Sequence, residues 1–336
     1  MRKLVTIQSV KDLIPIEGAD FIELCEIMGW RCVVKKGEFS VSDLGVYFEV
    51  DSFLPIEARY EFLRKSSYYN NSFMGEGFRI RTAKFKGHIS QGLFLPLKSF
   101  PEIKDVNIGD DVTDLLNVRK WELPEVESSV GIELGDKPYG IPTTDEVRIQ
   151  SAPELCEILR GNPYYITTKM DGTSCTMYYK DGVFGVCGRN KELKDTDDCG
   201  YWNLAKSYKV PEKLTSLNRN IALQGEYCGH GIQKNRLKLF TPKYYIFDAF
   251  DLDNYKYLEF DELKELIRSL ELDMVPIEEE GESFSYDLPS LLERARGKYS
   301  SGLDKEGIVI RSKKAVGQNR RISFKVINND FLLKEK

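Results

Sequence analysis

Two patterns of apolar spacing divide the chain. Over residues 2–116 the apolar positions fall in short runs rich in β-branched and aromatic residues. Turn residues separate them, at Glu17-Gly18-Ala19-Asp20, Lys36-Gly37-Glu38 and Asn107-Ile108-Gly109-Asp110-Asp111. This pattern predicts strands at 4–10, 21–28, 31–36, 45–50, 78–82 and 92–95. Strands this short and this closely spaced predict a small β-barrel, with the OB-fold the best match, over residues 1–118. Residues 119–150 change character: Pro124, Gly131, Gly135, Pro138, Gly140 and Pro142 interrupt an acidic run of Glu122, Glu125, Glu127, Glu133 and Asp136, which reads as a semi-rigid linker. A short helix is expected next, capped by Ser151, with Pro153 in its first turn and Gly161 as its stop.

From Tyr164 the pattern becomes α+β, with strand-like runs at 164–169, 174–180, 183–188, 221–227, 244–251, 307–311 and 322–327. Residues 260–270 place apolar side chains at helical spacing, and 288–298 read as a second helix. The expectation is a second domain over 151–336 built of antiparallel sheets and helices.

Composition narrows the chemistry. A chain of 336 residues with 41% hydrophobic and 12% aromatic content can fill two cores. No apolar run approaches the length of a membrane span, and the N-terminal residues read as a strand rather than a signal peptide. The expectation is therefore an intracellular protein, cytoplasmic or nuclear, with no membrane association. The seven cysteines contain no C-x-x-C pair and fit reduced, buried thiols. Only two histidines, His88 and His230, are present, which argues against a histidine-activated nucleophile or a histidine metal cage. Lysine and carboxylates are left to carry any chemistry. With a net charge of −5, a nucleic-acid partner would need local basic patches. Candidates are Lys234-Asn235-Arg236-Leu237-Lys238, Lys313-Lys314, Arg320-Arg321, and the group Arg79, Arg81, Lys84 and Lys86.

The stretch that organises the second half is Thr168-Lys169-Met170-Asp171-Gly172-Thr173-Ser174, between two strand-like runs. A lone K-x-D-G is common by chance. Here it is followed in order by Gly225-Glu226-Tyr227, Tyr244-Tyr245-Ile246-Phe247-Asp248, Glu306-Gly307-Ile308-Val309-Ile310 and Phe324-Lys325-Val326. A free lysine titrates near pH 10.4, so making Lys169 a neutral nucleophile at pH 7.4 costs about 4 kcal/mol. Burial and neighbouring cations lower that cost, whereas a bound triphosphate raises it. If a triphosphate is what the lysine attacks, the chemistry calls for divalent cations, and Mg²⁺ prefers hard oxygen ligands. Asp171, Glu226 and Glu306, each beside or close to a glycine, are the candidates. Phe247 offers a ring face to a base, Lys325 a point charge to a phosphate, and Arg189 a fork to a ribose or phosphate.

This ordered set resembles the motifs of the covalent nucleotidyltransferases, polynucleotide ligases and RNA capping enzymes. The whole chain is similar to ATP-dependent RNA ligases that carry an OB module ahead of the adenylyltransferase domain, the Deinococcus and Naegleria type. The resemblance implies that Lys169 becomes AMP-linked and that Lys325 contacts the α-phosphate. It places Thr168, Asp171, Gly172, Arg189, Glu226 and Phe247 around the nucleotide. It sets Asp171, Glu226 and Glu306 near Mg²⁺ or Mn²⁺, through metal-bound water. It implies ATP as cofactor and, as partner, RNA with a 3′-OH and a 5′-phosphate, in a nicked duplex, with no obligate protein partner. Two positions depart from the pattern: Ile327 stands where many relatives have a second lysine, and Ser174 where many have asparagine.

Alternatives within the superfamily are a DNA ligase or a capping guanylyltransferase; outside enzymes, a nucleic-acid-binding scaffold. Ligases of DNA and capping enzymes usually carry an OB domain after the last motif, whereas 11 residues follow Lys325 here, which favours an RNA ligase. A scaffold would be expected to lose Lys169 or the glutamates, and all are present.

Overall fold

A computed structural model describes residues 2–122, 131–317 and 321–334. They divide into two compact units: residues 2–122 with 150–153 and 332–334, and residues 131–149 with 154–317 and 321–331.

The first unit is built almost wholly of short strands. Val5–Ser9, Leu44–Phe48 and Leu93–Pro96 form one antiparallel sheet with Leu44–Phe48 at its centre. Asp12–Pro15, Ile22–Ile27 and Trp30–Lys35 form a meander. Ser52–Leu54, Tyr68–Asn71, Gly75–Arg79 and Arg119–Lys120 form a third sheet, and Ala83–Phe85 pairs with His88–Ser90. Alternation along the strands sends Val46, Phe48 and Phe78 into one core, which Phe100 joins from the turn after Leu93–Pro96, and Cys25, Trp30 and Phe94 into another. Burying each such side chain is worth about 1.5–3 kcal/mol. Ser151 does not cap a helix. Its hydroxyl donates to Glu49 Oε1 at 2.6 Å and accepts from Trp30 Nε1 at 3.2 Å, and the helix occupies Glu154–Leu159 in the second unit.

The second unit contains two sheets. One has seven strands, ordered Glu133–Asp136, Lys191–Leu193, Val183–Cys187, Thr173–Lys180, Ile221–Cys228, Lys243–Asp251, Lys256–Tyr257. The other has four, ordered Ile277–Gly281, Tyr164–Lys169, Gly307–Ser312, Ser323–Ile327. One face of the larger sheet, including Cys175, Met177, Leu223 and Ile246, packs on the helices Gly200–Ser207, Val210–Leu217 and Phe260–Ser269. The last of these buries Phe260, Leu263, Leu266 and Ile267, as its spacing predicts. The first two were not predicted; Lys209, in the left-handed region at φ +54°, separates them, and Pro211 occupies the first turn of the second.

The segment read as a linker is in part a sheet element. Glu133–Asp136 pairs with Lys191–Leu193. Beyond it, Lys137 Nζ donates to Thr176 at 3.2 Å, and Gln224 donates to the Pro142 carbonyl at 2.7 Å. Residues 123–130, with Pro124, Glu125 and Glu127, lie outside the described residues, as does Arg320 of the basic pair at 320–321. All seven cysteines are free and buried. No helix among the described residues is long and apolar enough to cross a membrane.

Candidate active site

Lys169 is the last residue of the Tyr164–Lys169 strand and sits opposite Gly307 in the ladder. Glu306, immediately before Gly307, places Oε1 2.8 Å from Lys169 Nζ. Glycine is required at 307, because a Cβ there would fall on the Val326 carbonyl of the neighbouring strand. The turn after Lys169 is equally tight. A Cβ on Gly172 would fall on the Tyr227 carbonyl and within 2.8 Å of the Glu226 side chain. That close approach brings Glu226, opposite Ser174 in the larger sheet, to the lysine.

The electrostatics confirm the grouping. Burial works against the Lys169 ammonium, but Glu306, Glu226 and Asp171 outweigh it and hold its pKa above the ordinary lysine value. Burial pushes Glu226 up to about 7, with Lys169 opposing the rise and Glu306 and Asp171 adding to it. Burial, reinforced by the charges of Lys169 and Arg148, lowers Lys325 to about 7. Lys169, Asp171, Glu226, Glu306 and Lys325 therefore share one site.

The other expected residues fall around it. Asp171 is 6% exposed, and both its oxygens are engaged by Arg236, through the backbone N–H at 3.1 Å and the guanidinium at 3.0 Å. Phe247 packs on the cluster of Met170, Cys228 and Val275, with the Arg311 guanidinium 5.4 Å from its ring centre. Arg189 is held by Asp145 at 2.6 Å, and the Asp145 charge acts on Lys325. Thr168 is on the other face of its strand from Lys169, so it does not join the cluster. Its hydroxyl donates to Glu278 at 2.8 Å, and Glu278 is in turn held by Lys305 at 2.6 Å and Arg294 at 2.8 Å. Ile327, at the departure from the lysine pattern, is buried opposite Gly307, and the cations acting on Lys325 are Lys169 and, after it, Arg148. Ser174 shares a hydrogen bond of 2.6 Å with Thr144 and so fastens residues 137–144 to the sheet.

Asp171, Glu226 and Glu306 do not form a direct metal cage. Among the described residues no three His, Cys, Asp or Glu side chains are grouped to hold an ion. Asp171 is taken by Arg236 and Glu306 by Lys169. Glu226 makes no ion pair among the described residues, and its raised pKa marks a buried charge short of compensation. That chemistry suits a hydrated hard cation, for which water supplies most ligands.

Sequence reading missed Tyr299. Its buried hydroxyl donates to the Lys169 carbonyl at 2.6 Å and accepts from the Glu306 N–H at 3.0 Å, joining the lysine to its ion-pair partner through the backbone. It also missed the role of Arg236 at Asp171. No local pattern marks either residue.

A family model described as RNA ligase matches residues 162–327, and one described as an OB-fold domain matches residues 4–97. Three solved structures of Naegleria gruberi RNA ligase are similar over nearly the whole chain. A lysine-to-methionine mutant with AMP and Mn is 40% identical with a TM-score of 0.94, covering 99% of each chain. A lysine-to-alanine mutant with ATP and Mn is 39% identical with a TM-score of 0.93, again covering 99% of each. The enzyme with PPi is 40% identical with a TM-score of 0.94, covering 100% of this chain and 99% of that one. The chain belongs to the RNA ligase family. No curated protein gave a match. The ligase thus has an N-terminal OB-fold followed by a nucleotidyltransferase domain, an α+β architecture.

Proposed function

We propose that this ligase joins RNA 3′-OH and 5′-phosphate ends, with ATP as cofactor and Lys169 as the residue that carries AMP. The observation that supports this most directly is the Lys169–Glu306 pair at 2.8 Å within one cluster that also holds Glu226, Asp171 and Lys325. Naegleria gruberi RNA ligase, 39–40% identical, has been seen with ATP, AMP and Mn.

In the first step Lys169 Nζ attacks the α-phosphorus of ATP. A P–N bond forms, the bond to the β-phosphate oxygen breaks, pyrophosphate leaves with the electron pair, and the lysine proton passes to solvent. An oxygen of the RNA 5′-phosphate then attacks the adenylyl phosphorus; the P–N bond breaks and Lys169 regains a proton. Last, the 3′-OH attacks the 5′-phosphate, AMP leaves, and the hydroxyl proton is lost.

The protein's residues set the difficulty of the first step. Glu306 and Glu226 stabilise the ammonium, which cannot attack. Mg²⁺ or Mn²⁺ held through water by Glu226 and Glu306 would offset both their charge and that of the phosphates. Lys325, at about 7, takes a proton readily when an anionic phosphate approaches, and then acts as the point charge on it. Phe247 offers its ring to adenine. Arg236 holds Asp171 through its backbone N–H and its guanidinium, which fixes the direction in which that carboxylate faces the nucleotide.

Mass spectrometry after incubation with Mg²⁺ and either ATP or GTP tests the proposal. AMP on the Lys169 peptide is expected. A GMP adduct alone, or an adduct at another residue, overturns it. Sealing of nicked duplexes with RNA or DNA at the 3′-OH end then separates RNA ligase from DNA ligase chemistry.

A further inference from the structure

The loop between Cys228 and Lys243 is built in a way the adenylylation chemistry does not require. Leu237 and Leu239 pack on Met170, Cys228 and Val275, next to the proposed nucleophile. Arg236 holds Asp171 through backbone and side chain, and Ser301 donates to the Arg236 carbonyl at 2.5 Å. Asn235 binds Leu239 in both directions, its Nδ2 donating to the carbonyl and its Oδ1 accepting from the N–H, each at 3.0 Å. Gln233, Asn235 and Lys238 all adopt left-handed backbone, which side-chain-bearing residues rarely do. The loop is thus fixed at its inner face.

Its outer face carries Lys234, Lys238 and Phe240, all exposed. Phe240 is 98% exposed, although no folding gain comes from holding a phenyl ring in water. Between Glu226 and Asp248 the sequence contains no Asp or Glu and four cations, Lys234, Arg236, Lys238 and Lys243. Across the chain, 53 acidic residues in 336 average about one in six, so this interval departs from a surface that is otherwise net negative. Arg236 is spent on Asp171 and Lys243 lies 3.8 Å from Asp273. Neither Lys234 nor Lys238 has an ion-pair partner among the described residues.

We propose that this face is an RNA-docking surface of the ligase, in which Phe240 stacks on a base while Lys234 and Lys238 contact flanking phosphates. The inference rests on the RNA ligase reading and deepens it by naming where the RNA strand lies. RNA is the occupant that fits two unpaired ammonium groups beside one aromatic face, since phosphates repeat along its backbone and every base has a stackable face. The inner face of the same loop holds Asp171 and packs on Met170, so the proposed RNA surface and the proposed nucleophile are joined by one loop.

The full chain with Phe240→Ala, Phe240→Trp and the double change Lys234→Ala/Lys238→Ala tests this. AMP labelling without RNA should stay within about twofold of the parent in all three. RNA binding and the KM for RNA in sealing should weaken about five- to a hundredfold in Phe240→Ala, the range for loss of one stacked base. Phe240→Trp should retain binding and show fluorescence quenching on RNA addition. The double variant should flatten the slope of log affinity against log salt by about 1.5. RNA affinity and salt slope unchanged in Phe240→Ala and in the double variant would overturn the proposal. RNA binding is read directly, so absence of an AMP adduct in the parent protein counts against the ligase mechanism and leaves the loop to be judged on its own measurement.

Discussion

Glu306 Oε1 lies 2.8 Å from Lys169 Nζ, and the two residues are also joined through one phenol, because the Tyr299 hydroxyl binds the carbonyl of one and the N–H of the other. The ion pair fixes where the amine sits while keeping it protonated. If Lys169 is the nucleophile proposed above, it is positioned before it is activated, and activation would come from weakening the pull of the carboxylates.

Lys169→Ala and Lys169→Arg should each abolish AMP labelling. Arginine keeps the charge and the contact to Glu306 but stays protonated at any workable pH. A Lys169→Arg protein that still forms an adduct by mass spectrometry would remove Lys169 from its role.

Tyr299→Phe tests positioning. It removes the hydroxyl while leaving the ring, so the Lys169 carbonyl and Glu306 N–H lose a shared partner, at a cost of about 1–3 kcal/mol. The single-turnover rate of AMP labelling should fall about ten- to a hundredfold, as expected for small misplacement of reacting groups. The KM for ATP should change little, because the phenol's hydrogen bonds go to the Lys169 and Glu306 backbone and not to Phe247 or Lys325. A fall in stability with an unchanged labelling rate would make Tyr299 structural only.

Strands such as Val5–Ser9, Ile22–Ile27, Tyr164–Lys169 and Ile221–Cys228 were readable because their apolar positions alternate and their turns carry glycine, asparagine and aspartate, whereas short strands such as Asp12–Pro15, Ser52–Leu54, Tyr68–Asn71 and Ala83–Phe85 were not. Ile277–Gly281 was not, since a Glu278-Glu279-Glu280 run resembles a solvated loop until Tyr164–Lys169 pairs with it. The helices Gly200–Ser207 and Val210–Leu217 were hidden by their shortness and by the left-handed break between them. At the site, Lys169, Asp171 and Gly172 could be read because one turn carries them. Tyr299 is 130 residues from Lys169 and Arg236 is 65 from Asp171, and such a pairing exists only once the sheets have formed. Thr168 was drawn into the site by adjacency in sequence, which strand alternation undoes.

The pH dependence of stability should expose Glu226. Its folded pKa of about 7 lies above the ordinary carboxyl value. The folded state therefore holds a proton that the unfolded chain has released, and stability from this group is present at low pH and lost as pH rises toward and through 7. Glu226→Gln removes the charge and should raise Tm above the parent at pH 8 but not at pH 5, measured with EDTA present. Self-adenylylation should fall in the same variant. Identical Tm differences at both pH values would show that Glu226 is not strained by its buried charge.

Where the second unit begins can be settled by truncation. Residues 133–149 supply a strand to the larger sheet and satisfy side chains that are otherwise sealed from water: Thr176 is reached by Lys137, Gln224 by the Pro142 carbonyl, and Arg311, only 2% exposed, by Glu146 at 3.2 Å. The Lys325 N–H also donates to the Val147 carbonyl at 2.8 Å. A fragment starting at Ser151 takes the partners of Thr176, Gln224 and the Lys325 N–H away, while Arg311 keeps Asp248 at 3.3 Å and Thr167 at 3.3 Å; at about 1–3 kcal/mol for each lost partner, the sum is comparable with the whole stability of a domain, about 5–15 kcal/mol. A fragment starting at Gly131 keeps them. The longer fragment should unfold cooperatively and seal a nick that already carries AMP on its 5′-phosphate, whereas the shorter should melt at least 10 °C lower, on the order expected for losses of this size, or fail to stay soluble. Equal melting temperatures and equal sealing by the two would show that residues 131–150 are a tether rather than part of the catalytic unit.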